Sequence, residues 1–251
     1  MRIFTVRGIT KSGKTTTIEK VISELKKRGY SVGSVKEIHY KQFKIDPEGT
    51  NTDRHKKAGS ELVTARGDFE TDVLFQEKLP IQKIIELYED KYDFLVLEGV
   101  ADANVPAIVT GHEAADADTK WSDWVFAVSG ILSTKVKEYR GVPAIDATKE
   151  VERLVDLIEE KTYSRLPDFP CDCCTACGST CQTLGIEIMN GRKSREDCIL
   201  QNAKVHIKIG GKEVQMVPFV RQIVKNTVLS VISELDGYSK DKSIEVTIDG
   251  E

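Results

Sequence analysis

The chain has 251 residues and 28.0 kDa, and 40% of its residues are apolar, which allows one large domain or two small ones around a packed core. A net charge of −4 and a pI near 5.7 argue against nucleic acid as the main partner. There is no apolar run of the roughly 18 residues that a membrane span requires, and no basic–apolar–small-residue leader at the start. A cytoplasmic protein with no membrane association is therefore expected.

Arg2-Ile3-Phe4-Thr5-Val6 is short, apolar and β-branched, and predicts a buried strand. Gly8-Ile9-Thr10-Lys11-Ser12-Gly13-Lys14-Thr15 follows and fits the phosphate-binding pattern G-x-x-x-x-G-K-[ST]. Ile18, Val21, Ile22 and Leu25 then recur at helical spacing. Strand, glycine loop and helix in that order is the context such a loop needs. Gly8 and Gly13 open backbone angles closed to other residues, so the N–H groups of the loop, from Thr10 through Ser12, can converge on an anion. The helix start adds its positive end to the same point. Lys14 is expected to reach the β- and γ-phosphates and Thr15 to hold Mg²⁺.

Arg28-Gly29-Tyr30 reads as a glycine cap and Ser31 to Lys36 as a second strand. Glu37 to Gly49 is polar and mixed, a long loop with room for a short strand around Phe43. Thr52 to Ala58 reads as a helix, Glu61 to Arg66 and Thr71 to Phe75 as short strands, and Ile81, Ile84, Ile85 and Tyr88 as the apolar face of another helix. Phe94-Leu95-Val96-Leu97 then runs into Glu98, the pattern of a buried parallel strand with a carboxylate at its C-terminal edge, where open α/β sheets bind ligands. Glu98 is the candidate for orienting Mg²⁺, directly or through water. Ala107 to Val109, Trp124 to Val128 and Val142 to Ile145 predict further strands, and Glu150 to Glu160 a closing helix. This alternation predicts an α/β domain over residues 1–162, a P-loop NTPase-like, mainly parallel sheet with helices on both faces.

Leu166-Pro167-Asp168-Phe169-Pro170 breaks the chain, and a small α+β, cysteine-rich domain is expected over 163–251. Lys204 to Ile209 and Lys212 to Val217 alternate around Gly210-Gly211 as a hairpin. Pro218 to Leu235 reads as a helix and Lys242 to Ile248 as a last strand. All six cysteines, Cys171, Cys173, Cys174, Cys177, Cys181 and Cys198, fall within 28 positions. In a reducing compartment that clustering argues for metal rather than disulfides.

The first domain resembles the MobB family, the molybdopterin-guanine dinucleotide biosynthesis adapters. The resemblance rests on GITKSGKTT at Gly8–Thr16, Val35-Lys36, His39, Asp46-Pro47, Gly49, Asp53-Arg54, Lys57-Ala58-Gly59 and Leu97-Glu98-Gly99. It implies a dimeric GTP- and Mg²⁺-binding protein with weak GTPase activity. Such a protein assists a molybdopterin guanylyltransferase, with molybdenum-insertion proteins and molybdopterin itself as partners, in forming the guanine dinucleotide cofactor of molybdenum or tungsten. It also implies nucleotide roles for Gly8, Gly13, Lys14, Thr15, Thr16 and Glu98, and an anion-facing basic pair in Lys36 and His39. Asp53 and Arg54 also read as no more than an ion pair. No N-K-x-D motif follows a strand, so guanine preference rests on the resemblance alone.

Cys174-x2-Cys177-Gly178, Cys181 and the distant Cys198 resemble the small iron–sulfur domain of corrinoid proteins. The spacing from Cys177 to Cys181 is one residue shorter than usual there, and Cys171 and Cys173 are alternative ligands. Four thiolates suit a [4Fe–4S] cluster; zinc and free or redox thiols stay open. Two other functional classes remain beside the adapter. One is a P-loop kinase or NTPase using Lys36, His39 and Arg54 toward a small acceptor. The other is a nucleotide-switched electron-transfer module.

Overall fold

The structure is a computed structural model and describes residues 1–40, 42–168, 177–198, 205–214, 216–236, 238–239 and 244–248. The chain divides into two compact units, Met1–Arg165 with Gly185–Arg192, and Leu166–Leu184 with Lys193–Glu251. No helix among the described residues is long and apolar enough to cross a membrane.

The first unit opens with β1 (Arg2–Gly8), α1 (Lys14–Lys27) and β2 (Val32–Lys36). It continues through α2 (Asn51–Lys57), β3 (Leu62–Arg66), β4 (Thr71–Phe75) and α3 (Ile81–Glu86) to β5 (Phe94–Glu98). Then come β6 (Ala107–Thr110), α4 (Ala114–Asp118), β7 (Val125–Ser129), α5 (Gly130–Ser133), β8 (Glu138–Tyr139), β9 (Val142–Pro143) and α6 (Val151–Lys161). Five strands form one parallel sheet in the order β2-β5-β1-β6-β7. A single parallel bridge, Val128 to Ala144, brings the chain after β9 alongside β7.

Both faces of the sheet are covered, which is why β5 is buried at every position and shows no polar alternation. Phe4, Val6, Phe94 and Val96 pack with Ile18, Val21 and Leu25 of α1 and Leu154, Val155 and Ile158 of α6. Ile3, Leu95 and Leu97 face the other way, onto Ile81 and Ile85 of α3. Each such fully buried aliphatic or aromatic side chain contributes about 1.5–3 kcal/mol. Gly29 ends α1 as the sequence predicts. Its φ is 92°, its N–H donates to Lys26 O and Tyr30 N–H donates to Leu25 O, the paired bonds of a glycine-capped helix end.

The mainly parallel α/β architecture agrees with expectation, with local differences. β3 and β4 pair antiparallel with each other in a separate ribbon outside the main sheet. No strand forms around Phe43. The sequence pattern does not predict α4, α5 or β8, each of five residues or fewer and too short to show a period. The segment Gly185–Arg192 also packs in the first unit: Met189 joins its core, and Gly185 lies against Trp124 and Tyr163, where a Cβ would come within 2.5 Å of either side chain.

α7 (Cys181–Met189) begins at a cysteine in the second unit, and its residues from Gly185 on count with the first; in the second unit a hairpin of β10 (Lys208–Ile209) and β11 (Lys212–Glu213) precedes α8 (Pro218–Ile232). The hairpin turns at Gly210-Gly211 as predicted, both with positive φ, but among the described residues it pairs two residues per strand. The predicted last strand is corrected. Residues 244–248 form none, and Ile244, Val246 and Ile248 are all exposed, so among the described residues no neighbouring strand buries their alternation.

Candidate functional site

Close packing beneath the glycine loop sets its curl. A Cβ on Gly8 would stand 2.2 Å from Thr110 Oγ1 and 2.8 Å from Ser12 Oγ. Ser12 Oγ donates to Ile9 O at 2.8 Å and lies 2.6 Å from Thr110 Oγ1, tying the loop to the end of β6. Ile131 N–H donates to Ser12 O at 3.1 Å, tying it to α5. Gly13, with φ 97°, turns the chain into α1, and Lys11 is also left-handed, with φ 60°.

The result is an anion site by construction. The first turn of α1 has no side-chain cap and no acidic residue, so its free N–H groups and positive end are left for a ligand. Lys14 Nζ donates to Ile9 O at 2.5 Å, folding over the loop. Burial pushes its ammonium below the ordinary value; Glu98 opposes that shift, and Lys36 and Lys120 add to it.

Glu98 stands where the sequence predicts, at the C-terminal end of β5, and the sheet register brings two partners to it. β5 lies between β1 and β2, with Val6 and Lys36 in register with Glu98. Lys36 Nζ reaches Glu98 Oε1 at 2.5 Å, and Thr15 Oγ1 donates to the same oxygen at 2.9 Å. Lys14, Thr15, Lys36 and Glu98 are thus one cluster. Thr15 and Glu98 offer hard oxygen donors of the kind Mg²⁺ takes alongside phosphate. Thr10, Lys11 and Thr16 belong to the loop and first turn. His39 is exposed on the segment after β2, with no hydrogen bond to the described residues, and does not join the cluster.

Several residues around the loop lie outside the sequence motif. Arg7 is buried; its Nε donates to Val100 O and its Nη2 to Ala103 O, clamping the segment that follows Glu98. His112 Nε2 lies 3.3 Å from Thr10 O, and Thr17 Oγ1 lies 3.3 Å from Ser129 Oγ, which donates to Ile145 O. Thr110 and Ser129 end β6 and β7 on the loop's side of the sheet and Ile145 follows β9 there, and that position is the one signal the sequence holds for them.

The acidic loop before α2 is a self-contained scaffold. Asp53 accepts from Gly49 N–H and pairs with Lys57, not with Arg54 as the sequence suggested. These bonds hold its carboxyl below the usual range. Asp46 accepts from Thr50 and Thr52 and pairs with Lys56.

Of the cysteines, Cys177 and Cys181 are half-buried and Cys198 is buried. Cys171, Cys173 and Cys174 lie outside the described residues. Among the described residues, no group of three or more His, Cys, Asp or Glu side chains is arranged to hold a metal.

Residues 3–129 match the family model described as molybdopterin guanine dinucleotide synthesis protein B. A Methanocaldococcus jannaschii protein, provisionally named a molybdopterin-guanine dinucleotide biosynthesis adapter, is 27% identical over 99% of this chain and 98% of its own length. A Bacillus subtilis protein named as a probable molybdopterin-guanine dinucleotide biosynthesis adapter is 28% identical over 59% of this chain and 87% of its own. The solved structure of Bacillus subtilis MobB superposes with a TM-score of 0.52 at 25% identity, covering 66% of this chain and all of that one.

Proposed function

The chain belongs to the MobB family, and from that premise we propose that it is a cytoplasmic GTP-binding adapter of molybdenum or tungsten cofactor biosynthesis. The observation that carries this reading is the convergence of Lys14, Thr15 and Lys36 with Glu98 beside an uncapped helix start. In this reading the loop amides from Thr10 to Thr16 cradle the phosphates, Lys14 bridges their outer oxygens, and Thr15 and Glu98 hold Mg²⁺. Held there, the metal would neutralise charge on the phosphate chain. Lys36 turns toward the phosphate chain or an anionic pterin phosphate, with His39 as the second basic group. The protein delivers nucleotide and molybdopterin to a guanylyltransferase and hydrolyses GTP slowly at most.

The partners in this reading are that guanylyltransferase, the molybdenum-insertion proteins and a second copy of the chain. The exposed apolar face of the β3–β4 ribbon supports the second copy, since Leu62, Val73 and Phe75 lie open on it. For the second unit the reading is a [4Fe–4S] cluster on Cys174, Cys177, Cys181 and Cys198, with Cys171 and Cys173 as alternative ligands. Cysteine density supports this.

The test is GTP binding to the full chain with and without Mg²⁺, beside turnover and co-purification with a molybdopterin guanylyltransferase. Magnesium-dependent binding with turnover well below about 1 s⁻¹ and capture of the transferase is the expected result. Turnover faster than that, without capture, rules out an adapter. Anaerobic iron and sulfide analysis tests the cluster: stoichiometric zinc in a colourless protein overturns it.

A further inference from the structure

The phosphate site gives the bound nucleotide a direction. Its outer phosphates and Mg²⁺ belong on the β5 side, with Thr15, Lys36 and Glu98. A sugar and base continuing from phosphates held there would pass across the start of α1 toward the other side of the loop, over the ends of β7 and of the segment after β9. That side is built tightly against the loop. Gly130 is so close that a Cβ on it would stand 2.2 Å from Ser12 O. From Thr17 in the first turn of α1, Ser129 Oγ leads at 3.3 Å, and it donates in turn to Ile145 O at 2.8 Å. Ile145 N–H donates to Val128 O and Ala144 bridges Val128 in parallel, so this stretch lies beside the end of β7, on the same edge of the sheet as the loop. The next residue is Asp146.

Resting on the GTP-binding reading above, we propose that Asp146 reads the base, its carboxylate accepting hydrogen bonds from N1–H and the 2-amino group of guanine. The Watson–Crick edge of guanine presents these two donors side by side, and an ionised carboxylate only accepts. Asp146 is 9% exposed. Its Oδ1 accepts from Thr148 N–H at 3.0 Å and from Thr148 Oγ1 at 2.7 Å, and these bonds fix the side chain and keep it ionised at neutral pH. Oδ2 is ion-paired with Lys149 Nζ at 3.6 Å, longer than a hydrogen bond, and the Lys149 side chain is 76% exposed, so a ligand donor competes there only with an open, water-facing ammonium. Thr148 thus orients the carboxylate, and guanine specificity needs no N-K-x-D motif.

Asp146 also closes a turn before α6, and a purely structural role must be told apart from base reading. Asp146→Asn does so, because its amide oxygen can still accept from Thr148 while its NH₂ now donates. Binding of GTP, ITP and XTP to the full chain and to this variant is measured by calorimetry, with thermal melting as the fold control. The parent is expected to prefer GTP to ITP, which lacks the 2-amino group, by about tenfold or more. Asp146→Asn is expected to lose about tenfold in GTP affinity and to bind XTP more tightly than the parent does, since the 2-oxo group of xanthine accepts from the new amide. A variant that binds GTP as the parent does, or a parent that does not separate GTP from ITP, overturns the assignment while leaving GTP binding intact. A parent that binds no guanine nucleotide overturns the functional reading itself.

Discussion

Thr15 and Lys36 both bind one oxygen of Glu98, Oε1, at 2.9 and 2.5 Å. The contact joins residues far apart in the chain through the register of β1, β5 and β2, which sets Val6 and Lys36 level with Glu98. It puts a hydroxyl and a movable ammonium on the carboxylate that faces the phosphate loop.

Lys36 is 55% exposed at its side chain, and an ion pair so open to water contributes about 0–1 kcal/mol. Its value to the fold is therefore small, and in the GTP-binding reading proposed above its role is toward the ligand. Lys36→Met is expected to leave chemical denaturation nearly unchanged and to weaken Mg²⁺–GTP binding about tenfold, the range for a lost charged hydrogen bond. Glu98→Gln should instead remove most of the gain that Mg²⁺ brings. Calorimetric titration with and without Mg²⁺ checks both; equal losses under the two conditions for Glu98→Gln would separate Glu98 from the metal.

Lys14 carries a pH signature. Burial holds its pKa below the ordinary 10.5, with Glu98 opposing. A phosphate beside the ammonium raises that pKa again. Nucleotide affinity is then full below the pKa of the free protein and falls as pH rises from there toward the pKa of the complex. The unliganded protein behaves oppositely. Its charged Lys14 is disfavoured by folding, so stability rises as pH climbs from the folded pKa to the unfolded value near 10.5. Titrations of GTP affinity and of melting temperature across the alkaline range should show slopes of opposite sign, and Lys14→Met should abolish both the binding and the stability slope.

Local sequence carried the phosphate loop and Glu98, because a glycine spacing and an apolar run into an acid are short-range patterns. Their assembly was not legible. The Lys36–Glu98 pair depends on strand register, and Thr110, Ser129 and Gly130 matter through close packing, which a single sequence does not display. Adjacency in sequence pairs Asp53 with Arg54, yet the helix places residue i+4, Lys57, beside it. Both strands of the β3–β4 ribbon were legible, but not their separation from the sheet, since alternation predicts a strand without naming its partner.

That ribbon leads to a prediction about assembly. Leu62 opposes Phe75 and Thr64 opposes Val73, and the face they form is exposed. A two-stranded ribbon gains little stability alone, so a second copy laid on this face would bury it. Val73→Glu is expected to shift the protein from dimer to monomer in light scattering while GTP affinity per chain stays the same. A parent already monomeric at micromolar concentration would remove the ribbon as an interface.

Two glycines with positive φ separate backbone strain from site geometry. Gly29, at 92°, has no atom within 4 Å of the position a Cβ would take, so Gly29→Ala should cost only the left-handed penalty of about 1–2 kcal/mol. Gly130, at 67°, faces the same penalty, and its Cβ would also stand 2.2 Å from Ser12 O and 3.1 Å from the Thr110 side chain. The Ser12 carbonyl is backbone of the phosphate loop, so relief of that clash must move the loop itself. Gly130→Ala should therefore lose more stability than Gly29→Ala and also lose nucleotide affinity, whereas Gly29→Ala should bind as the parent does. Denaturation and GTP titration on the two variants decide it: equal affinities would mean that α5 can shift without the loop, and that the contact between Gly130 and Ser12 does not set the phosphate site.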